Sequence, residues 1–340
     1  MPALRAVTFL LHAATFLMVA GAVSACAGAR VPSTLDPHGP SAERIAELAW
    51  ILFVTGAAVE LLVAGALLVA LFRRCRERAA PAGGRFSPVF WVVAGGVAMP
   101  AVMLVVLMGL SLRAMPVLYP PERPADVRVE VIGHQFWWEI VYPDYQFTTA
   151  NEIHVPVGRP VAVKLMGADV IHSFWVPQLQ GKLDLIPGKI NTIWLQADRP
   201  GVYRGQCAEF CGIQHALMIL YVIAEPPDAF QAWVAAQQQP AQVPQEPLAQ
   251  RGAQVFAREG CITCHSIRYG PQPVGGTIGP DLTHLASRRT IGAGLLENTR
   301  GNLGGWIINS QALKPGNKMP PVPMDGESLQ ALLAYLESLK

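Results

Sequence analysis

Two long apolar stretches in the first third of the chain restrict most strongly how it can fold. Residues 45–72 and 88–112 each exceed the roughly 20 residues that a helix needs to cross the hydrocarbon core of a membrane. The segment between them is basic, with four arginines in residues 73–78 and a further one at Arg85. Because basic loops stay on the cytoplasmic side, the pattern predicts a two-pass helical hairpin with residues 114–340 outside the cytoplasm.

The N-terminus has the features of an export signal. Residues 1–25 begin with a positive charge, continue in an apolar run and end in small side chains. The tetrapeptide Val23-Ser24-Ala25-Cys26 resembles a bacterial lipobox, which predicts cleavage before Cys26 and lipidation of its thiol. A plain signal peptide and an uncleaved helix are the alternatives. The N-terminal segment and the two helices then occupy residues 26–120.

One ionisable side chain, Glu60, lies near the middle of the first apolar stretch. An ionisable group at that depth is a candidate for a proton path. The alternative, which we favour, is a neutral glutamate that is hydrogen-bonded to a partner helix.

Short β-rich runs replace the helical pattern in residues 121–236. We predict strands at residues 127–132, 154–157, 161–165, 190–195 and 217–223, punctuated by proline and glycine. Many short strands at this spacing indicate an all-β sandwich or barrel. A short helix is expected at residues 228–237. A polar, proline-rich linker at residues 237–247 then separates this domain from a small C-terminal domain, residues 248–340, which has a helix before residue 261 and another near 328–339.

Four side chains with soft or imidazole ligand atoms lie within twelve residues of the β-domain, namely Cys207, Cys211, His215 and Met218. Thiolate and thioether ligands favour copper(I), zinc or iron–sulfur clusters over calcium or magnesium. Ligands four residues apart do not all point to one side of a strand, so a loop is expected, and His172 can supply a second imidazole from a distant loop. Zinc is the alternative, but zinc would leave the Met218 thioether unexplained.

The C-terminal domain contains Cys261-Ile-Thr-Cys264-His265, the pattern of covalent c-type haem attachment. Two of the three cysteine pairs therefore fall inside cofactor motifs, and a disulfide framework is not expected. A chain with a soft-metal loop and a haem motif is typical of an electron carrier.

The β-domain and the two apolar stretches resemble subunit II of cytochrome c oxidase, whose β-domain binds the dinuclear CuA centre. The resemblance includes Gly133-His-Gln135, the segment of residues 180–191, and the ligand loop itself. It implies a cupredoxin-like fold in which Cys207 and Cys211 bridge two copper ions and His172 and His215 each bind one ion.

The same resemblance assigns Met218 as a weak axial ligand to one copper and the main-chain carbonyl of Glu209 to the other. It also implies that the Glu209 carboxylate reaches a magnesium ion at the boundary with subunit I. One departure concerns the first aromatic residue after Gly-His-Gln, which is often tryptophan in the family and receives electrons from soluble cytochrome c. Phe136 holds that position here, which fits a donor that is attached to the chain.

The C-terminal domain resembles a small all-α class I cytochrome c. This resemblance implies that Cys261 and Cys264 carry the haem, and that Gly279 and Pro280 pack beside the proximal ligand His265. Met319 is the expected second axial ligand, with Met324 as the next candidate and His284 as a further rival. Trp306 is expected in the haem pocket.

Together these observations predict a multi-domain chain: a transmembrane hairpin, a cupredoxin-like sandwich and a cytochrome c domain. They predict subunit II of a caa-type haem–copper oxidase in a bacterial cell membrane, with both soluble domains on the periplasmic or extracellular side. The expected partners are subunit I, the other oxidase subunits and a cytochrome c-type donor, and no nucleic-acid partner is expected. The alternatives are a CuA-containing subunit of a nitric oxide reductase and a copper-storage or assembly protein with a haem domain.

Overall fold

The computed structural model describes residues 32–76, 87–118 and 125–340 of the chain. Cys26 and the predicted signal segment therefore lie outside the described residues. The described part comprises a pair of long helices, a β-sandwich and a small helical domain that packs against the sandwich.

Two helical segments are long and apolar enough to cross a membrane. The first, α1, spans Pro40–Arg76, and the second runs through Pro88–Leu118; the most apolar 18 residues of each have a mean hydropathy of 2.3. The second segment consists of α2 (Pro88–Val93), a π-helical turn (Ala94–Ala98) and α3 (Met99–Leu118). No residue in the most apolar part of either segment is buried, and such an exposed apolar surface fits lipid or a partner subunit.

Helix α1 is longer than a membrane crossing requires. Its 37 residues correspond to about 55 Å, well beyond the roughly 30 Å of the hydrocarbon core. The chain just before the helix is attached to the β-sandwich, where His38 N–H donates to the Gln178 carbonyl at 2.7 Å and Asp198 N–H donates to the His38 carbonyl at 2.8 Å. The helix therefore projects from the sandwich rather than from a free linker.

The β-domain consists of two five-stranded sheets. One sheet has the strand order β3-β2-β1-β5-β8 and the other has the order β4-β10-β9-β6-β7. The strands are β1 (Val127–His134), β2 (Trp137–Tyr142), β3 (Phe147–Ala150), β4 (Glu152–Pro156), β5 (Val161–Gly167), β6 (His172–Trp175), β7 (Leu183–Leu185), β8 (Asn191–Leu195), β9 (Gly201–Cys207) and β10 (Ile219–Glu225).

The alternation expected for a half-buried strand is clearest in β1, where Val127, Val129 and Val131 are buried. Strand β4 differs, because all five of its residues are buried. Its outer face is covered: His154 stacks on Trp233 of α4 (Pro227–Gln238) with ring centroids 4.0 Å apart, and Glu152 contacts the helical domain. The five predicted strands are present, and β2, β3, β6, β7 and β9 are additional.

The C-terminal domain is built on three helices: α5 (Pro247–Arg258), α6 (Arg300–Leu313) and α7 (Gly326–Glu337). Helices α5 and α7 cross closely, and a Cβ at Gly252 would overlap the carbonyl group of Ala331. The predicted helices before residue 261 and near 328–339 correspond to α5 and α7. Helix α6 was not predicted, because three glycines in residues 301–305 lower its helix propensity.

Residues of the C-terminal domain form hydrogen bonds with the start of the predicted linker. The Arg268 guanidinium donates to the carbonyl groups of Gln237, Gln238 and Gln239 at 2.8–3.0 Å. Both ring nitrogens of His284 also lie within 3.1 Å of carbonyl oxygens, of Lys340 on one side and of Gln237 and Gln239 on the other. These contacts orient the two soluble domains where the chain passes from one to the other.

Candidate metal centre and cofactor cavity

The soft-ligand loop lies between two neighbouring strands of one sheet. Strand β9 ends at Cys207 and β10 begins at Ile219, and the N–H of Cys207 donates to the Met218 carbonyl at 2.9 Å, which closes the base of the loop. His172 is the first residue of β6, which pairs with β9. The second imidazole was expected on a distant loop, and it lies instead on the strand beside the cysteines.

The five ligand side chains and the predicted carbonyl ligand come together around the two thiols. The sulfur atoms of Cys207 and Cys211 are 3.8 Å apart, and the cysteines are free rather than disulfide-bonded. Each thiol has its own imidazole: His172 Nδ1 is 3.9 Å from Cys207 Sγ, and His215 Nδ1 is 3.8 Å from Cys211 Sγ. The remaining two ligands also divide between the thiols, since the Glu209 carbonyl oxygen is 3.1 Å from Cys207 Sγ and Met218 Sδ is 3.8 Å from Cys211 Sγ.

Burial and compactness support a metal site at this position. His172, Cys207 and Cys211 are buried, with ligand atoms all within 4.8 Å of one another. Met218 is fully buried, whereas Glu209 and His215 are partly exposed at the rim. Thiolate, imidazole and thioether together form a donor set that suits copper better than zinc or a hard cation.

The two thiols shift each other's pKa in a way that favours metal binding. The hydrogen bond between the two thiols lowers the pKa of Cys207 and raises the pKa of Cys211, so the pair shares one proton. Burial alone would raise both pKa values. The thiolate is the form that binds metal ions, and a cation entering this pocket would displace the remaining proton.

A second group of residues orients His172. Its Nε2 atom contacts the Asp169 carboxylate at 2.8 Å, which leaves Nδ1 facing the thiols. Burial lowers the pKa of His172, but the hydrogen bonds to Cys207 and Asp169 outweigh it, and the net shift is upward. Asp169 also accepts from the N–H of Gln135 at 2.7 Å, and the Gln135 side-chain amide donates to the Cys211 carbonyl at 2.6 Å.

The C-terminal domain contains a cavity of about 390 Å³, which is lined by the residues of the haem motif. Cys261, Cys264, His265 and Trp306 border it from one domain, and Phe136 and Trp137 border it from the β-domain. The cavity therefore extends to the interface between the two domains.

His265 presents one nitrogen to this cavity. Its Nδ1 atom lies 2.8 Å from the Pro280 carbonyl oxygen, which leaves Nε2 for an iron ion. Gly279 lies against the ring, and a Cβ at that position would be 2.6 Å from His265 Cε1. Burial lowers the pKa of His265, and the hydrogen bond to Pro280 offsets only part of the shift, so the ring is kept in its neutral, ligating form.

Met319 is the candidate second axial ligand that lines the cavity. Its carbonyl accepts from the hydroxyl of Ser310 at 2.7 Å, and its N–H donates to Asn317 Oδ1 at 2.8 Å, so both backbone groups are held. Met324 packs against the hydrophobic core of the domain and is not among the residues that border the cavity. His284 is engaged by carbonyl oxygens away from it.

Arg288 supplies the third feature that fits a haem. It borders the cavity and is buried, and its Nε atom has no hydrogen-bond partner among the described residues. Burial lowers the pKa of Arg288, which Asp281 and Glu152 partly offset. A buried guanidinium with an unpaired donor suits a carboxylate-bearing cofactor such as haem, whose propionate groups would complete its hydrogen bonding.

Several of these supporting residues were not predicted from the sequence. Asp169 and Arg288 lie outside the ligand motifs, and their roles depend on contacts made in the folded chain. The only local signal is that Asp169 precedes His172 by three residues.

Comparison with known proteins identifies both soluble domains. A family model described as "Cytochrome C oxidase subunit II, periplasmic domain" matches residues 146–225, and a cytochrome c model matches residues 249–340. A curated relative from Alkalihalophilus pseudofirmus, named cytochrome c oxidase subunit 2, is 38% identical over 333 residues, which are 94% of this chain and 94% of the relative. The chain belongs to the cytochrome c oxidase subunit 2 family.

A second cytochrome c oxidase subunit 2, from Bacillus sp. (strain PS3), is 34% identical and covers 76% of this chain and 75% of its own length. A solved structure, the periplasmic domain of subunit II of cytochrome oxidase (CoxB) of Bradyrhizobium japonicum, is 33% identical with a TM-score of 0.33, covering 34% of this chain and 96% of that chain. This member of the subunit 2 family thus carries a cytochrome c domain fused after the β-domain and is a subunit of an oxidoreductase complex.

Proposed function

We propose that this chain is the electron-transfer subunit of a caa-type respiratory oxidase. It receives electrons from a cytochrome c-type donor at its C-terminal domain and delivers them, by way of the soft-ligand loop, to the haem–copper subunit I that reduces oxygen. When bound, haem c and the copper pair supply one-electron redox chemistry. The observation that carries the proposal is the pairing of ligands around Cys207 and Cys211, with one imidazole beside each thiol.

The residues proposed to hold the copper pair are those predicted from the sequence. Cys207 and Cys211 would bridge, and His172 Nδ1 and His215 Nδ1 would each bind one ion. The Met218 thioether and the Glu209 carbonyl would complete the set, one beside each thiol. Asp169 keeps His172 in the tautomer that offers Nδ1, and the buried walls exclude water from the sulfur atoms.

The residues proposed to hold haem c are Cys261 and Cys264 through thioether bonds, and His265 and Met319 as axial ligands. The free Nε2 of His265 and the unpaired Nε of Arg288 support this arrangement. The position of Met319 on the cavity wall supports it over Met324 and His284.

The proposed route from donor to copper agrees with the surroundings of Phe136. This residue is buried, and its ring contacts the copper loop, since a Cβ at Gly212 would be 3.0 Å from Phe136 Cζ. It also borders the cavity that the haem motif lines. The chain's own cytochrome domain thus covers the residue that would otherwise face a visiting cytochrome.

The remaining expectations concern the setting of the subunit. We propose that the two apolar segments cross a bacterial cell membrane beside subunit I, with both soluble domains on the periplasmic or extracellular side. Lipidation of Cys26 and a magnesium ion at the Glu209 carboxylate remain predictions. Glu60 is exposed on α1, where a partner helix would pack, and its role also remains a prediction.

Substitution of one bridging thiol tests the proposal. In the purified complex, Cys211→Ser should abolish the near-infrared and purple absorption and the EPR signal of a dinuclear copper centre, and leave the haem c spectrum intact. Cys75→Ser is the matched control, because this cysteine belongs to neither motif. Unchanged copper spectra in Cys211→Ser would refute the assignment.

A further inference from the structure

We propose that Lys314 is a positioning residue that fixes the cytochrome domain on the β-domain in the register needed for electron transfer between them. This inference rests on the proposed function. Lys314 follows directly after α6 and precedes the short loop that leads to Met319. The side chain crosses the domain interface and ends beside the copper-ligand loop.

The ammonium group of Lys314 is buried and is satisfied entirely by main-chain carbonyl groups. Its Nζ atom donates to the Leu217 carbonyl at 2.8 Å, to the Gly292 carbonyl at 2.9 Å and to the Phe136 carbonyl at 3.3 Å. Lys314 is 2% exposed, and no carboxylate forms an ion pair with it in the described part of the chain. Three donors thus meet three acceptors, and two of these acceptors belong to the other domain.

This arrangement favours a single relative position of the two domains. A buried ammonium group without partners is strongly unfavourable, so any shift that moves Leu217 and Phe136 away from Lys314 carries a large cost. Burial lowers the pKa of Lys314 to about 8, and the group still carries its proton at neutral pH. The lysine therefore excludes wrong alignments more than it adds affinity, which is the usual contribution of buried charges to specificity.

Neighbouring contacts join the same two loops. The side chain of Gln214, in the copper loop, donates to the Pro315 carbonyl in the loop that leads to Met319. Gly316 packs against Ile213, where a Cβ would be 2.6 Å from Ile213 Cγ2. The loop that supplies His215 and Met218 is therefore in direct contact with the loop that supplies Met319, so a displacement of one would be transmitted to the other.

A third contact joins the two domains at another part of their interface. The Glu152 carboxylate, on β4, accepts from the N–H groups of Arg289 and Thr290 at 2.8 and 3.1 Å. In both contacts the donors belong to the cytochrome domain and the acceptors to the β-domain, and two separate contacts restrict rotation of one domain on the other as well as their separation. Electron transfer slows steeply with distance. Loss of the Lys314 contact or of the Gln214 contact, both at the copper loop, should therefore lower the rate of electron transfer between the two domains.

The test uses the intact oxidase complex and a Lys314→Met variant, which retains side-chain length and removes all three donors. After rapid photoreduction of haem c, we expect the rate of electron transfer to copper to fall at least about tenfold, because the loss of even one of the three charge-assisted hydrogen bonds would lower the equilibrium constant for docking by about that factor. The remaining electron transfer in the variant should depend on solvent viscosity, because domain motion then precedes it. The rate in the wild type should not depend on viscosity.

The control variant is Lys164→Met, which removes an exposed lysine whose Nζ lies 3.4 Å from Glu130, within the β-domain. It should retain the wild-type rate. A wild-type rate without viscosity dependence in Lys314→Met would overturn the inference. No transfer from haem c to copper in the wild type would instead refute the proposed function, so the two failures are distinguishable.

A second variant guards against misfolding. If Lys314→Met loses its haem or copper spectrum, Gln214→Leu removes the donor to Pro315 from the copper side and leaves Lys314 in place. A slower, viscosity-dependent rate in Gln214→Leu, with both spectra intact, would support the positioning role of this contact region. An unchanged rate would contradict it.

Discussion

Gly133 lies directly against the imidazole of His172: a Cβ at position 133 would fall 2.8 Å from His172 Cδ2 and 3.0 Å from Cγ. Strand β1 therefore packs against one face of the His172 ring, and the Asp169 carboxylate contacts the Nε2 atom at the edge of the ring. The glycine belongs to the Gly133-His-Gln135 segment, so the space required by His172, the proposed copper ligand, accounts for one residue of that motif.

We expect Gly133→Ala to weaken copper binding. The added methyl group must displace the His172 ring, because the backbone on the other side is held in a sheet and cannot retreat freely. The affinity for copper, measured by titration against a competing chelator, should fall about 10- to 100-fold, as is typical when a contact that orients a metal ligand is lost. Gly301→Ala is the control, because a Cβ at Gly301 would meet nothing within 4 Å. An unchanged copper affinity in Gly133→Ala would show that the ring is free to move.

Met319→Ala should convert haem c to a high-spin form and lower its midpoint potential, because an axial thioether stabilises the reduced iron. Met324→Ala should leave both properties unchanged and reduce only stability, by about 1–2 kcal/mol, less than for a fully buried methionine, because Met324 is partly buried against the core. Optical spectroscopy and redox titration measure the first effect, and thermal unfolding measures the second. A spin-state change in Met324→Ala alone would reverse the ligand assignment.

Glu152→Gln should stabilise the chain at neutral pH. The three hydrogen bonds from Arg289 and Thr290 all end on Oε1, which an amide oxygen can replace. Burial raises the pKa of Glu152, although the charges of Arg288 and His154 offset part of this shift. The folded state therefore binds a proton more readily than the unfolded state.

The contribution of Glu152 to stability should consequently fall as the pH rises through the interval above the ordinary pKa of 4.5. We expect the melting temperature of Glu152→Gln to equal that of the wild type near pH 4 and to exceed it at pH 7. Glu327→Gln, at a position 78% exposed, is the control and should show no such trend. A wild type that gains stability over Glu152→Gln between pH 4 and 7 would show that the attraction of the Arg288 charge outweighs the effect of burial.

Much of the fold could be predicted from local pattern. The apolar segments exceed the length of a membrane crossing, and strands such as β1 and β5 combine alternation with β-branched side chains. Strand β9 was missed because Arg204, Gly205 and Gln206 interrupt the apolar pattern, and β7 because it has only three residues. Both are strands because neighbouring strands supply their hydrogen bonds.

The sequence by itself determined which residues have the chemistry to bind copper and haem, because thiolate, imidazole and thioether groups at short spacing identify a site without knowledge of the fold. Only the tertiary structure decided which residues hold those ligands in place and how the two domains meet. Asp169, Arg288 and Lys314 have no distinctive local pattern. Lys314 in particular could be taken for a solvated surface lysine, and it becomes an interdomain contact only because packing removes water and brings the Leu217 and Phe136 carbonyl groups to its ammonium.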